Sequence, residues 1–91
     1  MTSKEADLES QCRALVKAAG GEFLKIQGSR GWPDRLVLLP NGRHFFVELK
    51  RPGGELDLLQ KHILRLLRDL NHEAFELDNV ALMKRLIRER S

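Results

Sequence analysis

The chain has 91 residues, of which 32% are charged and 42% hydrophobic, and its formal net charge is +3 at neutral pH. A chain of this length has room for one hydrophobic core, so we expect a single domain over residues 1–91. No apolar run approaches a membrane span, and Cys12, the lone cysteine, excludes an internal disulfide and a cysteine-based zinc site. The lone cysteine fits a reducing cytoplasm, and the basic balance favours a nucleic-acid partner.

Hydrophobic periodicity predicts helices and strands in the order α-β-β-β-α-β-α. The first helix ends at Gly20-Gly21, and the strand-helix-strand stretch in the second half implies a parallel, right-handed crossover. We therefore expect an α/β (α+β) fold in which a small mixed β-sheet is flanked by helices. The predicted elements are a helix at 3–19, strands at 22–27, 34–39 and 44–50, a helix at 57–70, a strand at 73–77 and a helix from 78 or 79 to 88.

The segment Pro40-Asn41-Gly42 joins two predicted strands and determines how they pair. Pro40 suits the second position of a type I turn, and Gly42 suits the left-handed residue that follows it, which gives a three-residue hairpin loop. A two-residue Asn-Gly turn is the alternative and shifts the register by one, but Pro40 has no N–H to give to a ladder. The longer loop pairs Leu39 with Arg43, Leu36 with Phe46 and Asp34 with Glu48.

Three charged residues interrupt otherwise apolar strands, and the longer loop places them on one sheet face: Asp34, Glu48 and Lys50. A charge near a core is costly unless it is paired or bound to a metal, and magnesium binds one or two protein carboxylates. We predict that Asp34 and Glu48 hold a divalent cation, with the backbone carbonyl of Leu49 as a third oxygen. Lys50 would orient or help deprotonate an attacking water, or neutralise charge on a phosphate. The alternative is a salt bridge from Lys50 to Asp34 or Glu48 on a solvated strand end.

The two later helices have recognisable starts and apolar faces. Asp57 has the spacing of a capping box with Gln60, and Asp78 or Asn79 precedes the last helix. Cys12 lies in the apolar stripe of the first helix, so we expect it in the core and not as a nucleophile. The residues predicted to face inward are Leu59, Ile63, Leu66, Leu67 and Leu70 in the middle helix and Val80, Met83, Leu86 and Ile87 in the last.

Basic side chains are spread around the predicted site. Those of the middle helix recur at helical spacing, and such a row is either a solvated face or a track for phosphate groups. No row of aromatic residues suggests base stacking, so recognition of nucleic-acid shape through the backbone is favoured over base reading. The row is Lys61, Arg65 and Arg68, and the other candidates for phosphate contact are Lys25, Arg30, Arg35 and Arg51.

Two segments, Gly31-Trp32-Pro33-Asp34-Arg35 and Phe46 to Gly54, followed by Gln60, resemble the VRR-NUC group of the PD-(D/E)xK nuclease superfamily. The likeness extends over nearly the whole chain and implies a restriction-endonuclease-like core and a DNA endonuclease that uses Mg²⁺ or Mn²⁺. By this resemblance Asp34 and Glu48 bind the metal, Lys50 is the catalytic lysine and Gln60 is an accessory active-site residue.

The same resemblance places a metal-linked glutamate on the first helix, at Glu9, whereas the helical pattern alone leaves Glu5 as a competitor. The length resembles that of the stand-alone phage or prophage members, which form homodimers, and so implies a homodimer in the cytoplasm of a bacterial host. A structure-selective enzyme for branched DNA, such as four-way junctions, is the expected activity. The alternative is a non-catalytic nucleic-acid-binding or protein-interaction module that retains the fold.

Overall fold

The computed structural model describes residues 4–91, and side chains from residue 6 onward. Within this range the order α-β-β-β-α-β-α is confirmed, and the element ends lie within two residues of the predicted ones. The predicted start of the first helix at Ser3 lies outside the described residues. The elements are α1 (Lys4–Ala18), β1 (Glu22–Lys25), β2 (Arg35–Leu38), β3 (His44–Leu49), α2 (Leu58–Asp69), β4 (Ala74–Leu77) and α3 (Val80–Glu89).

The strands form one mixed sheet in the order β1-β2-β3-β4. The first three strands pair antiparallel, and β4 returns parallel to β3 after the crossover through α2. The predicted mixed sheet flanked by helices is thereby confirmed. Strand β3 has a partner on each side, so the middle of the sheet carries the segment with the predicted catalytic residues.

The hairpin between β2 and β3 has the predicted register. Leu36 pairs with Phe46, and the Leu39 N–H donates to the Arg43 carbonyl at 2.7 Å. The type I turn was wrong, because Asn41 has a φ of 69°, where that turn needs about −90°. Asparagine enters the left-handed region more readily than most residues, so the loop keeps its length with a different turn.

Two apolar clusters cover the two faces of the sheet. The larger lies between the sheet and helices α1 and α3, and the predicted burial of Cys12 in it is confirmed, with no exposed side-chain surface. The smaller lies under α2, which contacts the sheet through β4. Among residues 4–91, no helix has the length and hydropathy that a membrane crossing needs. The smaller cluster comprises Leu56, Ile63, Leu64, Leu67 and Ala74, with Phe46 packed against it.

The predicted inward face of α2 was wrong in part. Leu64 is buried in place of Leu59, Leu66 and Leu70, which are 39%, 37% and 59% exposed. The reason is that α2 lies over β4 and directs Gln60 toward β3, so the buried stripe is rotated around the helix from the one expected. The three exposed leucines therefore form an apolar flank on the side of the sheet that carries α2.

Candidate active site

Asp34 lies where the loop after β1 enters β2, and hydrogen bonds to both neighbouring strands hold it. Its carbonyl accepts from the Ile26 N–H at 2.9 Å, which continues the ladder to β1. Its Oδ1 accepts from the Leu49 N–H at 3.2 Å, which ties the carboxylate to β3. Continuing the hairpin register from Leu36–Phe46 by two residues sets Asp34 opposite Glu48. The structure thus brings the two predicted metal-binding carboxylates to the same end of the β2–β3 pair.

Glu48 is the one buried charged side chain among the described residues, with 6% exposure. A carboxylate loses hydration energy on burial and needs polar or ionic contacts in return. Its Oε1 accepts a hydrogen bond from the Gln60 side-chain amide at 3.1 Å. The structure therefore places Glu48 inside an otherwise apolar strand with a polar partner, and its predicted role as a metal ligand stays a prediction.

Gln60 performs two tasks at the start of α2. Its side-chain oxygen accepts from the Asp57 N–H at 2.9 Å, while Asp57 Oδ1 accepts from the Gln60 N–H at 2.8 Å, so the predicted capping box is confirmed. The amide nitrogen of the same side chain reaches Glu48. A single glutamine therefore fixes the first turn of the helix and the buried carboxylate relative to each other.

Lys50 follows β3 directly and is directed toward the next loop and strand. Its Nζ donates to the Gly54 carbonyl at 3.0 Å and lies 3.8 Å from Glu76 Oε2. Glu76 pairs with Glu48 in the parallel register, so it lies beside the site, and sequence reasoning missed it. Glu76 occupies a short strand with no motif, and only the register between β3 and β4 could have pointed to it.

Glu9 projects from α1 toward a pair of arginines. Its Oε1 accepts from Arg13 Nε at 3.1 Å and lies 3.9 Å from Arg35 Nε. Among the side chains from residue 6 onward, no three histidine, cysteine or acidic side chains cluster as a metal site. Glu9 is therefore not brought into one cluster with Asp34 and Glu48, and its predicted link to a metal stays a prediction. The side chain of Glu5, its competitor, lies outside the described residues.

The predicted phosphate-contacting residues separate into exposed and engaged side chains. Arg35 is engaged, because its side chain is only 12% exposed, and the exposed Arg68 is engaged through its Nε, which donates to the Ala74 carbonyl at 2.8 Å. An engaged cation loses a contact inside the protein if it turns toward a phosphate. The other predicted residues are exposed: Lys25, Arg30, Arg51, Lys61 and Arg65.

Cys12 has the chemistry of a core residue. Burial, followed by the negative charge of Glu9, raises the pKa of its thiol from 9.0 to about 11. A thiol with a raised pKa is a poor nucleophile at neutral pH because little thiolate is present. This agrees with the expectation that Cys12 takes no part in the chemistry.

The donor set of the site suits a hard divalent cation. Two carboxylates on neighbouring strands and the backbone carbonyl of Leu49 are oxygen donors, which magnesium and manganese prefer. Magnesium keeps several waters and needs only one or two protein carboxylates, so Asp34 and Glu48 suffice without a third acidic ligand. The residues present therefore fit the group that the sequence predicts.

Comparison with known proteins supports the fold, although no protein-family model matches the chain. A solved structure described as a VRR_NUC domain superposes with a TM-score of 0.85 at 27% identity, and covers 99% of this chain and 100% of its own. A curated relative, "Putative nuclease p44" of Acyrthosiphon pisum secondary endosymbiont phage 1, is 38% identical over 78 residues, or 84% of each protein. The chain belongs to the VRR-NUC nuclease family.

The expected family membership and restriction-endonuclease-like fold class are thus confirmed, and the VRR-NUC fold together with the phage relative supports nuclease activity. In this chain Glu48 lies near the end of β3 and Lys50 directly follows it, where the strand meets the loop before α2.

Proposed function

We propose that this VRR-NUC protein is a Mg²⁺- or Mn²⁺-dependent endodeoxyribonuclease that cuts branched DNA, such as four-way junctions, as a homodimer in the cytoplasm of a bacterial host. One observation carries the proposal: Asp34 and buried Glu48 lie at the same end of the β2–β3 pair, where Leu49 N–H and Gln60 orient them. Such a pair of fixed oxygen donors is costly in an otherwise apolar strand, and it suits metal-assisted phosphodiester hydrolysis.

The side chains have distinct roles in this proposal. Asp34, Glu48 and the Leu49 carbonyl would hold the cation, which when bound polarises a phosphoryl oxygen and lowers the pKa of a bound water. Gln60 keeps Glu48 oriented through its 3.1 Å hydrogen bond. Lys50, placed between the Gly54 carbonyl and Glu76, supplies a positive charge that orients the attacking water, helps remove its proton or neutralises the phosphate.

The exposed basic residues support binding along the DNA backbone. Arg30 precedes Asp34 in the loop before β2, Arg51 follows Lys50, and Lys61 and Arg65 extend along one flank of α2. Contacts of this kind with phosphates fix the position of the duplex and do not distinguish one base sequence from another. Selectivity for branched DNA would then depend on the shape of the substrate.

An apolar surface on the α2 side of the sheet supports the homodimer. Leu24 of β1 and Leu38 of β2 are 42% and 37% exposed, and the apolar flank of α2 lies on the same side. Exposed apolar surface on a small protein is costly in water and often marks an interface. We assign this surface to a second copy of the chain, because an isologous contact would bring two sites together for two strands of one branched substrate.

A cleavage assay with two lysine variants tests the proposed activity and the role of Lys50. Wild type, Lys50→Ala and Lys84→Ala are incubated with a labelled four-way junction and with linear duplex, in magnesium or manganese. Lys84 is an exposed control on α3. We expect metal-dependent cutting of the junction by wild type and Lys84→Ala, and a loss of at least about a hundredfold in Lys50→Ala. Full cleavage by a folded Lys50→Ala protein would refute the mechanism, and equal cutting of both substrates would refute the selectivity.

Calorimetry with Mn²⁺ separates an enzyme from a binding module that retains the fold. Wild type should bind the ion and Asp34→Ala should bind it at least about tenfold more weakly, because a carboxylate ligand is lost. A wild type that binds DNA with a steep salt dependence but takes up no Mn²⁺ would favour the module.

Sedimentation tests the homodimer. Wild type should sediment at twice the 10.5 kDa mass of one chain. Leu24→Glu should shift the protein toward the monomer, whereas Ala81→Glu, an exposed position on α3 on the opposite side of the sheet, should not. A monomeric wild type at all concentrations would rule out the dimer, and a dimeric Leu24→Glu protein would remove this surface from consideration.

A further inference from the structure

Arg35 is a largely buried arginine whose guanidinium contacts the neighbouring Asp34. The sequence placed it among the DNA-contacting residues, yet its side chain is only 12% exposed. Its Nη1 donates to the Asp34 carbonyl at 2.9 Å and lies 3.5 Å from Asp34 Oδ2. A guanidinium that reaches both the backbone and the carboxylate of its neighbour limits the freedom of that residue at two points.

The other side of the Arg35 side chain faces a carboxylate and an aromatic ring. Its Nε lies 3.9 Å from Glu9 Oε1, and its guanidinium carbon lies 5.9 Å from the ring centroid of Phe23. Glu9 in turn accepts a hydrogen bond from Arg13. The guanidinium thus bridges a helix α1 carboxylate and the Asp34 carboxylate, with an aromatic ring in cation–π range.

We propose that Arg35 is a positioning residue that holds the Asp34 carboxylate for the metal, and that it does not contact DNA. This inference rests on the proposed function. The two oxygens of Asp34 then have separate neighbours: Oδ1 lies on the Leu49 N–H and Oδ2 faces Arg35. Partners that orient a ligating carboxylate commonly matter about tenfold to a hundredfold for metal affinity or activity. Glu9 acts in this arrangement as the anchor of Arg35.

Arginine and lysine differ in a way that separates positioning from DNA contact. A lysine keeps the positive charge that a phosphate contact needs, but it lacks the planar fork that reaches two acceptors at once. Keeping the charge also keeps most of the repulsion between this side chain and a bound cation. Arg35→Lys therefore tests geometry at nearly constant charge.

The experiment compares wild type, Arg35→Lys and Arg43→Lys, an exposed control at the far end of the hairpin. Three quantities are measured: Mn²⁺ affinity by calorimetry, affinity for a four-way junction in EDTA, and kcat and KM for cleavage. We expect Arg35→Lys to lose about tenfold in Mn²⁺ affinity and in kcat, with unchanged junction affinity and KM. Arg43→Lys should match wild type throughout.

The outcomes distinguish this inference from the proposed function. If wild type neither binds Mn²⁺ nor cuts, the proposed function fails and the positioning role fails with it. If wild type does both and Arg35→Lys matches it, only the role of Arg35 is overturned. Weaker junction binding in EDTA by Arg35→Lys, with Mn²⁺ affinity intact, would return Arg35 to the DNA-contacting residues.

If Arg35→Lys does not fold, an NMR measurement on wild type tests the positioning role of Arg35. The Nε–H resonance of Arg35 is followed by NMR during titration with Mg²⁺ and, separately, with a short metal-free duplex. We expect a shift with Mg²⁺ and none with the duplex, whereas the Nε–H of exposed Arg30 should respond to the duplex. A response of Arg35 to the duplex alone would overturn the proposal.

Discussion

The double role of Gln60 leads to a quantitative prediction for stability. Gln60→Ala removes the hydrogen bond to the Asp57 N–H and the one to Glu48. A neutral hydrogen bond contributes about 1 kcal/mol, and one to a charged group about 1.5–3 kcal/mol. We expect Gln60→Ala to lower the free energy of unfolding by about 3 kcal/mol. In a domain of this size that loss corresponds to a fall in Tm of about 15 °C.

Asp57→Ala is the matched control, because it removes the other half of the capping box and leaves Gln60 free to reach Glu48. Asp57→Ala should lower the free energy of unfolding by about 1 kcal/mol and the Tm by about 5 °C. Gln60→Glu keeps an acceptor for the Asp57 N–H but directs a carboxylate at Glu48, so it should be at least as destabilising as Gln60→Ala at neutral pH. Thermal unfolding in EDTA measures all three. Equal losses in Gln60→Ala and Asp57→Ala, or a Gln60→Glu protein as stable as wild type, would refute the reasoning.

Two further predictions concern the burial of one side chain and the backbone conformation of one loop. Burial raises the pKa of Cys12 from 9.0 to about 11, so its contribution to stability is present below pH 9.0 and is lost as the pH rises toward 11. Urea unfolding at about pH 8 and about pH 10 should therefore show a smaller alkaline loss for Cys12→Ala than for wild type; identical losses would contradict this. Gly31 and Gly42 have φ values of 87° and 76°, so alanine strains either backbone by about 1 kcal/mol or more. A Cβ at Gly31 would lie 2.5 Å from Leu59 Cγ, whereas at Gly42 no atom lies within 4 Å. Gly31→Ala should have the lower Tm of the two, and equal melting temperatures would contradict packing of this loop against α2.

The sequence predicted best those features that depend on neighbouring residues. The hairpin register followed from the missing N–H of Pro40, and the capping box followed from the spacing of Asp57 and Gln60. Both are set by a few adjacent residues, so local chemistry determines them.

The features that the sequence did not predict depend on contacts between elements that are distant in the chain. Leucines occur on several sides of α2, so the pattern alone did not reveal that Leu64 would be buried and Leu66 exposed. That choice depends on which strand the helix covers. The partners of Arg35 and the place of Glu76 beside Lys50 likewise depend on how α1 and β4 meet the hairpin. No spacing within the chain contains this information.

The position of β3 in the middle of the sheet has a consequence for how such an enzyme could change its substrate. Glu48 belongs to a strand that is hydrogen-bonded on both sides, so its backbone cannot move without breaking two ladders. The loops at 28–33 and 51–57, on either side of the site, carry no such constraint. Mutations of exposed loop residues other than Gly54 and Asp57, which contact Lys50 and Gln60, would therefore reshape the proposed DNA-binding surface while leaving the geometry of the site intact. The rigid strand β3 would then fix the chemistry, and the loops beside it would determine which DNA is bound.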